Sequence, residues 1–199
     1  MKKLHLGAYH IAHKGWINTD VTWQIFVARV PGLATLLYKL KLISAEAFKY
    51  HRQGLFRQIR YLNVVKRFPF ADNTFDYVYS SHMLEHLCPD EADVCLREVH
   101  RVMKPGAVLR LAIPDLDAII AQYDPNNPEG TLDSMYQGRS RKTQPLARHW
   151  WHYNATSLTE LLQRLGFREL ERCQYQQGRC VEVEIIDHRP NSLFMEGIK

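Results

Sequence analysis

The stretch from Phe68 to Leu87, FPFADNTFDYVYSSHMLEHL, constrains this chain more than any other. Pro69 to Thr74 is a turn, because proline, aspartate and asparagine side chains favour tight bends. Phe75, Tyr77, Val78 and Tyr79 follow as a short aromatic and β-branched run, the mark of a strand. The run stops at Ser80-Ser81-His82, small polar residues able to face a ligand. In an open α/β sheet, ligands bind at the carboxyl ends of the strands. The chain is therefore expected to gather its chemistry where this strand ends.

The flanking segments supply the rest of such a sheet. Lys3-Leu4-His5-Leu6 alternates and meets Gly7. Trp16 to Val21 reads as a second strand with Asp20 near its end. Strand, glycine turn, strand and acid form the layout of a nucleoside-binding half, with the acid accepting hydrogen bonds from ribose hydroxyls. The nine residues between the two strands are too few for a full crossover helix. Ile59 to Val65 reads as a third strand. Pro89-Asp90-Glu91 opens a helix with acids in its first turn, as the helix dipole favours. Lys104-Pro105-Gly106 ends it, and Val108 to Ile113 is the next strand, closed by Pro114-Asp115. Residues 117–123 continue as helix, Asp124 to Gly130 as a loop, and a polar segment reaches Arg148 near the expected substrate entrance. Ser157 and Glu160 form a capping box for a helix over Leu158–Leu165, stopped by Gly166. Arg168–Tyr175 and Ser192–Ile198 read as strands, with further strand over Val181–Ile186.

The motifs PFADNTFDYVYSSHMLEHL and LREVHRVMKPGAVLRLAIPDL, in this order and spacing, resemble the central region of class I S-adenosylmethionine-dependent methyltransferases. The resemblance implies a Rossmann-like α/β fold: a mostly parallel seven-stranded sheet with a C-terminal antiparallel hairpin and helices on both faces. It implies one domain over 1–199, with a helical basic insertion at about 22–60. It further implies S-adenosylmethionine as cofactor, held by Gly7, Ala8, Tyr9, Asp20, Asn63, Ser80 and Ser81. The loop departs from the family's Gly-x-Gly: Tyr9 stands where the second glycine would lie. Either the loop is rerouted with Tyr9 turned outward, or the methionine end of the cofactor is crowded out. Asn63 falls where the family often has an aspartate near adenine, or serves only as a turn residue.

Methyl transfer asks the protein to orient an acceptor and remove its proton. Histidine suits that role, with an unperturbed pKa of ~6.5. His82 is the first candidate, because it follows the strand directly; His149 and His152, in the ring-rich HWWHY segment, come next. The expected acceptor is a small molecule or saccharide, and a basic rim suits an anionic one. Lys39, Lys41, Lys49, Arg52, Arg57, Arg60, Lys66 and Arg67 load the first third with positive charge, against Glu46 alone between Val21 and Asp72.

Two other classes compete. His82-Met83-Leu84-Glu85-His86 is an H-x-x-E-H, the inverted zinc-hydrolase pattern. The surrounding turn, strand and helix end account for the same residues, so no metal ligand is expected. The second alternative keeps the fold as a non-catalytic binding protein with a degraded cofactor loop. Net charge is +5, a mild excess that decides little. The interleaved basic and aromatic platform of a nucleic-acid binder is missing. No run approaches the ~18 apolar residues of a membrane span, and the start has no apolar secretory segment. Cys88, Cys95, Cys173 and Cys180 lack C-x-x-C spacing. Together these point to reduced thiols in a cytoplasmic protein. Oligomeric state is left open.

Overall fold

The computed structural model describes residues 1–136 and 148–199. Seven strands form one sheet: β1 (Lys3–Leu6), β2 (Ile17–Asp20), β3 (Ile59–Tyr61), β4 (Phe75–Ser81), β5 (Met103–Pro114), β6 (Arg168–Cys173) and β7 (Ser192–Ile198). Their spatial order is β3-β2-β1-β4-β5-β7-β6. The first five are parallel, and β7 runs antiparallel between β5 and β6. The expected mostly parallel sheet with a C-terminal antiparallel hairpin is present. Chain order reverses between β1 and β4, so their carboxyl ends define a crevice.

The two sheet faces are built differently. On the first, Leu4, Val78 and Leu109 share a register row with Ile17. They pack under α4 (Pro89–Val102) and α7 (Ala155–Arg164) through Leu96, Val99, Leu158 and Leu162. Both helices carry their apolar residues on one stripe, which is what lets a helix lie on a sheet.

The adjacent row faces the other way and is polar from strand to strand. Asn18 pairs with His5, His5 with Tyr79, Tyr79 with Arg110, and Arg110 with Glu196. All five are buried. Covering them are the loop after β1 and the strap joining β6 to β7, which contributes Cys180, Val183 and Ile186. Single-turn helices α1 (Gln24–Val27) and α8 (Val183–Ile186) also lie on this face. Between β2 and β3 come α1, α2 (Leu33–Lys39), α3 (Ala45–Arg52) and a 3-10 turn at Leu55–Gln58.

Several boundaries differ from the sequence reading. Val181–Ile186 is not strand: Val183 and Ile186, three residues apart, bury together on the turn of α8. A short apolar run carries no unambiguous period. The loop expected over Asp124–Gly130 gives way at Pro128 to a helix, α6 (Pro128–Tyr136), since proline is well placed in a first turn. The capping box of α7 is Asn154 with Ser157, one turn earlier than Ser157 with Glu160. β3 ends at Tyr61, four residues short of Val65. β5 starts at Met103, directly where α4 stops. Residues 116–121 form α5 (Leu116–Ala121). Of the polar segment expected near the substrate entrance, residues 137–147 lie outside the described residues. All four cysteines are free, and no described helix is long and apolar enough to cross a membrane.

Candidate active site

The carboxyl ends of β1, β2 and β4 converge. Gly7 leaves β1 with φ +72 and Tyr9 follows with φ +44, both left-handed. Asp20 at the end of β2 holds this turn: its Oδ2 accepts from the Tyr9 amide at 2.8 Å and its Oδ1 from the Thr22 amide at 2.7 Å. Each carboxylate oxygen has two lone pairs, so Asp20 keeps capacity for a further donor beyond the neighbouring amides. Burial raises its pKa, against the amides of Tyr9 and Thr22. The Tyr9 ring is turned aside, half-exposed against His10 and Phe56. Of the two arrangements open to it in the sequence, this is the outward one.

Ala8 is buried, its amide bonded to the Thr19 carbonyl. Ser80 and Ser81 are buried at the end of β4, and neither hydroxyl has a protein partner. Buried hydroxyls without partners are costly, and these lie at the ligand-facing edge. Asn63 accepts from the Val65 amide at 3.1 Å, the bond of a turn residue. Met83 lies over Gly7 so closely that a Cβ there would stand 2.5 Å from the Met83 Cβ. A glycine at position 7 is thus required twice, by its backbone angle and by its neighbour.

His82 follows β4 with φ +50. Its amide donates to the Ala112 carbonyl at 2.8 Å, which ties it to β5. Its Nδ1 stands 3.2 Å from Glu85 Oε1, and its Nε2 is 2.8 Å from Ser192 Oγ at the start of β7. Burial alone would raise the Glu85 carboxyl; the imidazoles of His82 and His86 outweigh it and hold the pKa below the usual range. A carboxylate, an imidazole and a hydroxyl are thus aligned at the crevice.

His149 and His152 reach the same neighbourhood because the Trp150 amide bonds the Glu85 carbonyl at 2.8 Å. His149 is buried with its Nε2 at 3.9 Å from Glu85 Oε1, and burial lowers its pKa to about 4. His152 is tethered to the Met135 carbonyl at 2.6 Å. The structure brings the three candidate histidines into one neighbourhood; the sequence did not single out Ser192, 110 residues from its partner. Nothing local marks that serine.

A family model described as a methyltransferase domain matches residues 39–111, which include β3, β4 and most of β5. A probable methyltransferase of Aspergillus luteorubrus is 31% identical over 81 residues, 40% of this chain and 26% of that protein. An uncharacterized methyltransferase of Synechocystis is 24% identical over 128 residues, 62% of this chain and 51% of that one. The chain thus spans a quarter of the one relative and half of the other. Among solved structures, a SAM-dependent methyltransferase of Thermotoga maritima, a possible histamine N-methyltransferase, superposes with a TM-score of 0.54 at 14% identity. That match covers all of this chain and 82% of the other. The fold is that of a class I methyltransferase.

The methyltransferase fold accounts for the crevice between β1 and β4 and for the reversed hairpin beside β5. In this chain the fold is abbreviated. No helix joins β1 to β2 or β3 to β4; Leu62 and Phe68 of the second connection fill the first-face core instead.

Proposed function

We propose that this chain transfers a methyl group from S-adenosylmethionine to an oxygen or nitrogen atom of a small-molecule or saccharide acceptor. The observation carrying this reading is the Glu85–His82 pair at the carboxyl end of β4, beside the Gly7–Asp20 turn. The relatives are themselves named methyltransferases, one of them SAM-dependent. The residues present fit the cofactor: Asp20 has acceptor capacity for a ribose hydroxyl, and Ser80 and Ser81 offer unpartnered hydroxyls. Bound there, the cofactor would supply a methyl group already activated on its sulfonium for transfer to the acceptor. His82 takes the acceptor's proton at Nε2, passed through the Ser192 hydroxyl 2.8 Å away, and Glu85 holds the ring at Nδ1 and balances its charge. His149, neutral by burial, and His152 bound the acceptor side. The exposed bases Lys39, Lys41, Lys49 and Arg52 on α2, α3 and the turn between them favour an anionic acceptor.

The close seat of Met83 on Gly7 favours a second reading, a methyltransferase fold that binds without catalysing. Calorimetric titration with S-adenosylmethionine and S-adenosylhomocysteine separates the two. Micromolar binding, weakened at least about tenfold in Asp20→Ala by loss of ~1.5–3 kcal/mol of charge-assisted hydrogen bonding, is the expected result. Folded protein that binds neither nucleoside would overturn the assignment.

A further inference from the structure

The Glu85 carboxylate is buried to within 1% of full exclusion, and neither of its oxygens accepts a well-formed hydrogen bond. His82 stands beside it as an ion pair but fills only part of what a buried carboxylate requires. Leaving such a group under-coordinated is costly. Two more imidazoles converge on it. Glu85, His86 and His149 each offer a donor atom, and those atoms lie within 4.8 Å of one another. The rings of His86 and His149 are 4.9 Å apart, edge to face.

The orientation of these rings is fixed from outside the cluster. His86 Nδ1 is 3.0 Å from the Arg148 carbonyl, a contact that puts the proton on Nδ1 and the lone pair on Nε2. Metal-ligating histidines are held in this way, by a carbonyl or carboxylate on the far nitrogen. His149 is buried with Nδ1 unpartnered, so that nitrogen remains available, and its Nε2 stands 3.9 Å from Glu85 Oε1. Around the three sit His82 on one side and His152 on the other.

We propose that Glu85, His86 and His149 bind a first-row divalent cation, with Zn2+ as the fitting case. One carboxylate and two imidazoles make a three-ligand set that leaves a fourth position open. The donor atoms need to close by only about an ångström to span one ion, since ligands ~2.0–2.2 Å from zinc lie ~3.5 Å apart. Burial keeps two of the free thiols out of the competition: it raises Cys95 and Cys180 to about 12, far from thiolate at neutral pH. The site differs from the H-x-x-E-H zinc pattern visible in the sequence. That pattern enlists His82, whereas here the third ligand comes from His149, 63 residues beyond His86 and invisible to a local motif.

The test uses the whole chain, without cofactor or acceptor, so its outcome is independent of the transfer reading. Purified protein is stripped with chelator and titrated with Zn2+ against a competing chromogenic chelator, then with Co2+ by visible absorption. One ion per chain is expected, with the cobalt spectrum of a nitrogen and oxygen ligand set. His86→Ala and His149→Ala should each weaken Zn2+ binding about a hundredfold or more, since even outer-shell partners are worth 10–100-fold. Absence of stoichiometric binding would overturn the proposal, as would affinity unchanged in both variants or sulfur charge-transfer bands with cobalt. Should His149→Ala fail to fold, X-ray absorption of the zinc-loaded native chain decides instead: two imidazoles and a carboxylate support the site, and any sulfur shell refutes it.

Discussion

The two faces of this sheet solve one problem in opposite ways. Under α4 and α7, the row Ile17, Leu4, Val78 and Leu109 is apolar, because each helix satisfies its own backbone and brings only side chains to the interface. The other face is covered largely by irregular chain, whose amides and carbonyls must find partners in the protein. The row Asn18, His5, Tyr79, Arg110 and Glu196 supplies them. Arg110 donates to Asp187 Oδ1 at 3.0 Å, to Glu196 Oε1 at 2.8 Å and to the carbonyls of Gln174 and Gln177. Asp187 in turn accepts from the Gln176 amide, and Glu196 from those of Arg179 and Cys180. Asn18 does the same for the β1–β2 loop, accepting from the His13 amide and donating to the carbonyls of His13 and Trp16. A polar core appears where a helix is missing.

If the ionic cluster exists to anchor backbone, replacing all of it with apolar residues is harmful. Arg110→Met with Asp187→Leu and Glu196→Leu removes every charge of the cluster but strands the three amides just named and the Gln177 carbonyl, while the Gln174 carbonyl keeps the Gln177 amide. At ~1–3 kcal/mol for each unsatisfied group, the sum rivals the whole ~5–15 kcal/mol of a domain's stability. Urea unfolding of the triple variant should show no cooperative transition, while Arg110→Ala alone costs ~3–5 kcal/mol by leaving two carboxylates facing each other. A triple variant as stable as the native chain would break the comparison, since ion pairs that serve only each other are often replaced at no loss.

Acid separates the faces next. Burial holds His5 at about 3, helped by His13 and His188 and opposed by the Asn18 bond; it holds His13 at about 4, with His188 lowering and Glu182 raising. The unfolded chain binds these protons near pH 6.5, so below that pH it holds more protons than the folded chain. Stability is full above pH 6.5 and falls as pH drops toward 4, by about 1.4 kcal/mol per pH unit for each histidine. Melting temperature measured from pH 7 to 5 should decline, and in His5→Gln/His13→Gln the decline should flatten. An unaltered slope would show that other groups set it.

These same features mark what the sequence disclosed. The first face was legible because its strands and helices have regular periods: β1, β4 and β7 fall where alternation and β-branched runs put them, and α4 where Pro89 and its acids start it. The positions of the candidate residues at the carboxyl edge were legible for a similar reason, as Asp20, Ser80 and His82 each stand at or beside the end of a strand. The second face was not. Arg110 sits inside an otherwise apolar strand, and its partners Asp187 and Glu196 are 77 and 86 residues away, so no local pattern announces the cluster. Val181–Ile186 of the strap reads as strand in the sequence because its shape is set by those long-range bonds rather than by a period of its own. His149 joined Glu85 for a like reason, through a backbone bond from Trp150 that sequence spacing does not encode.

The smallest effect is expected where a helix does its own work. α7 needs help only at its first turn, where Asn154 Oδ1 accepts from the Ser157 amide at 2.9 Å and Ser157 Oγ accepts from the Asn154 amide at 3.1 Å. Asn154→Ala removes the first of these bonds and an exposed one from Nδ2 to Asp117 at a solvated helix start, where water replaces both, so it should cost ~1 kcal/mol. The same amide removed from the polar face, by Asn18→Ala, leaves the His13 amide, the His5 ring nitrogen and the Trp16 carbonyl buried without it, while the His13 carbonyl keeps the Trp16 amide. That variant should lose ~2–3 times as much, at ~1–3 kcal/mol for each group left unsatisfied, when the two are compared by urea midpoint in one buffer. Equal losses would mean that water reaches the β1–β2 loop as easily as it reaches a helix end, and that the polar row is not the loop's substitute for a helix.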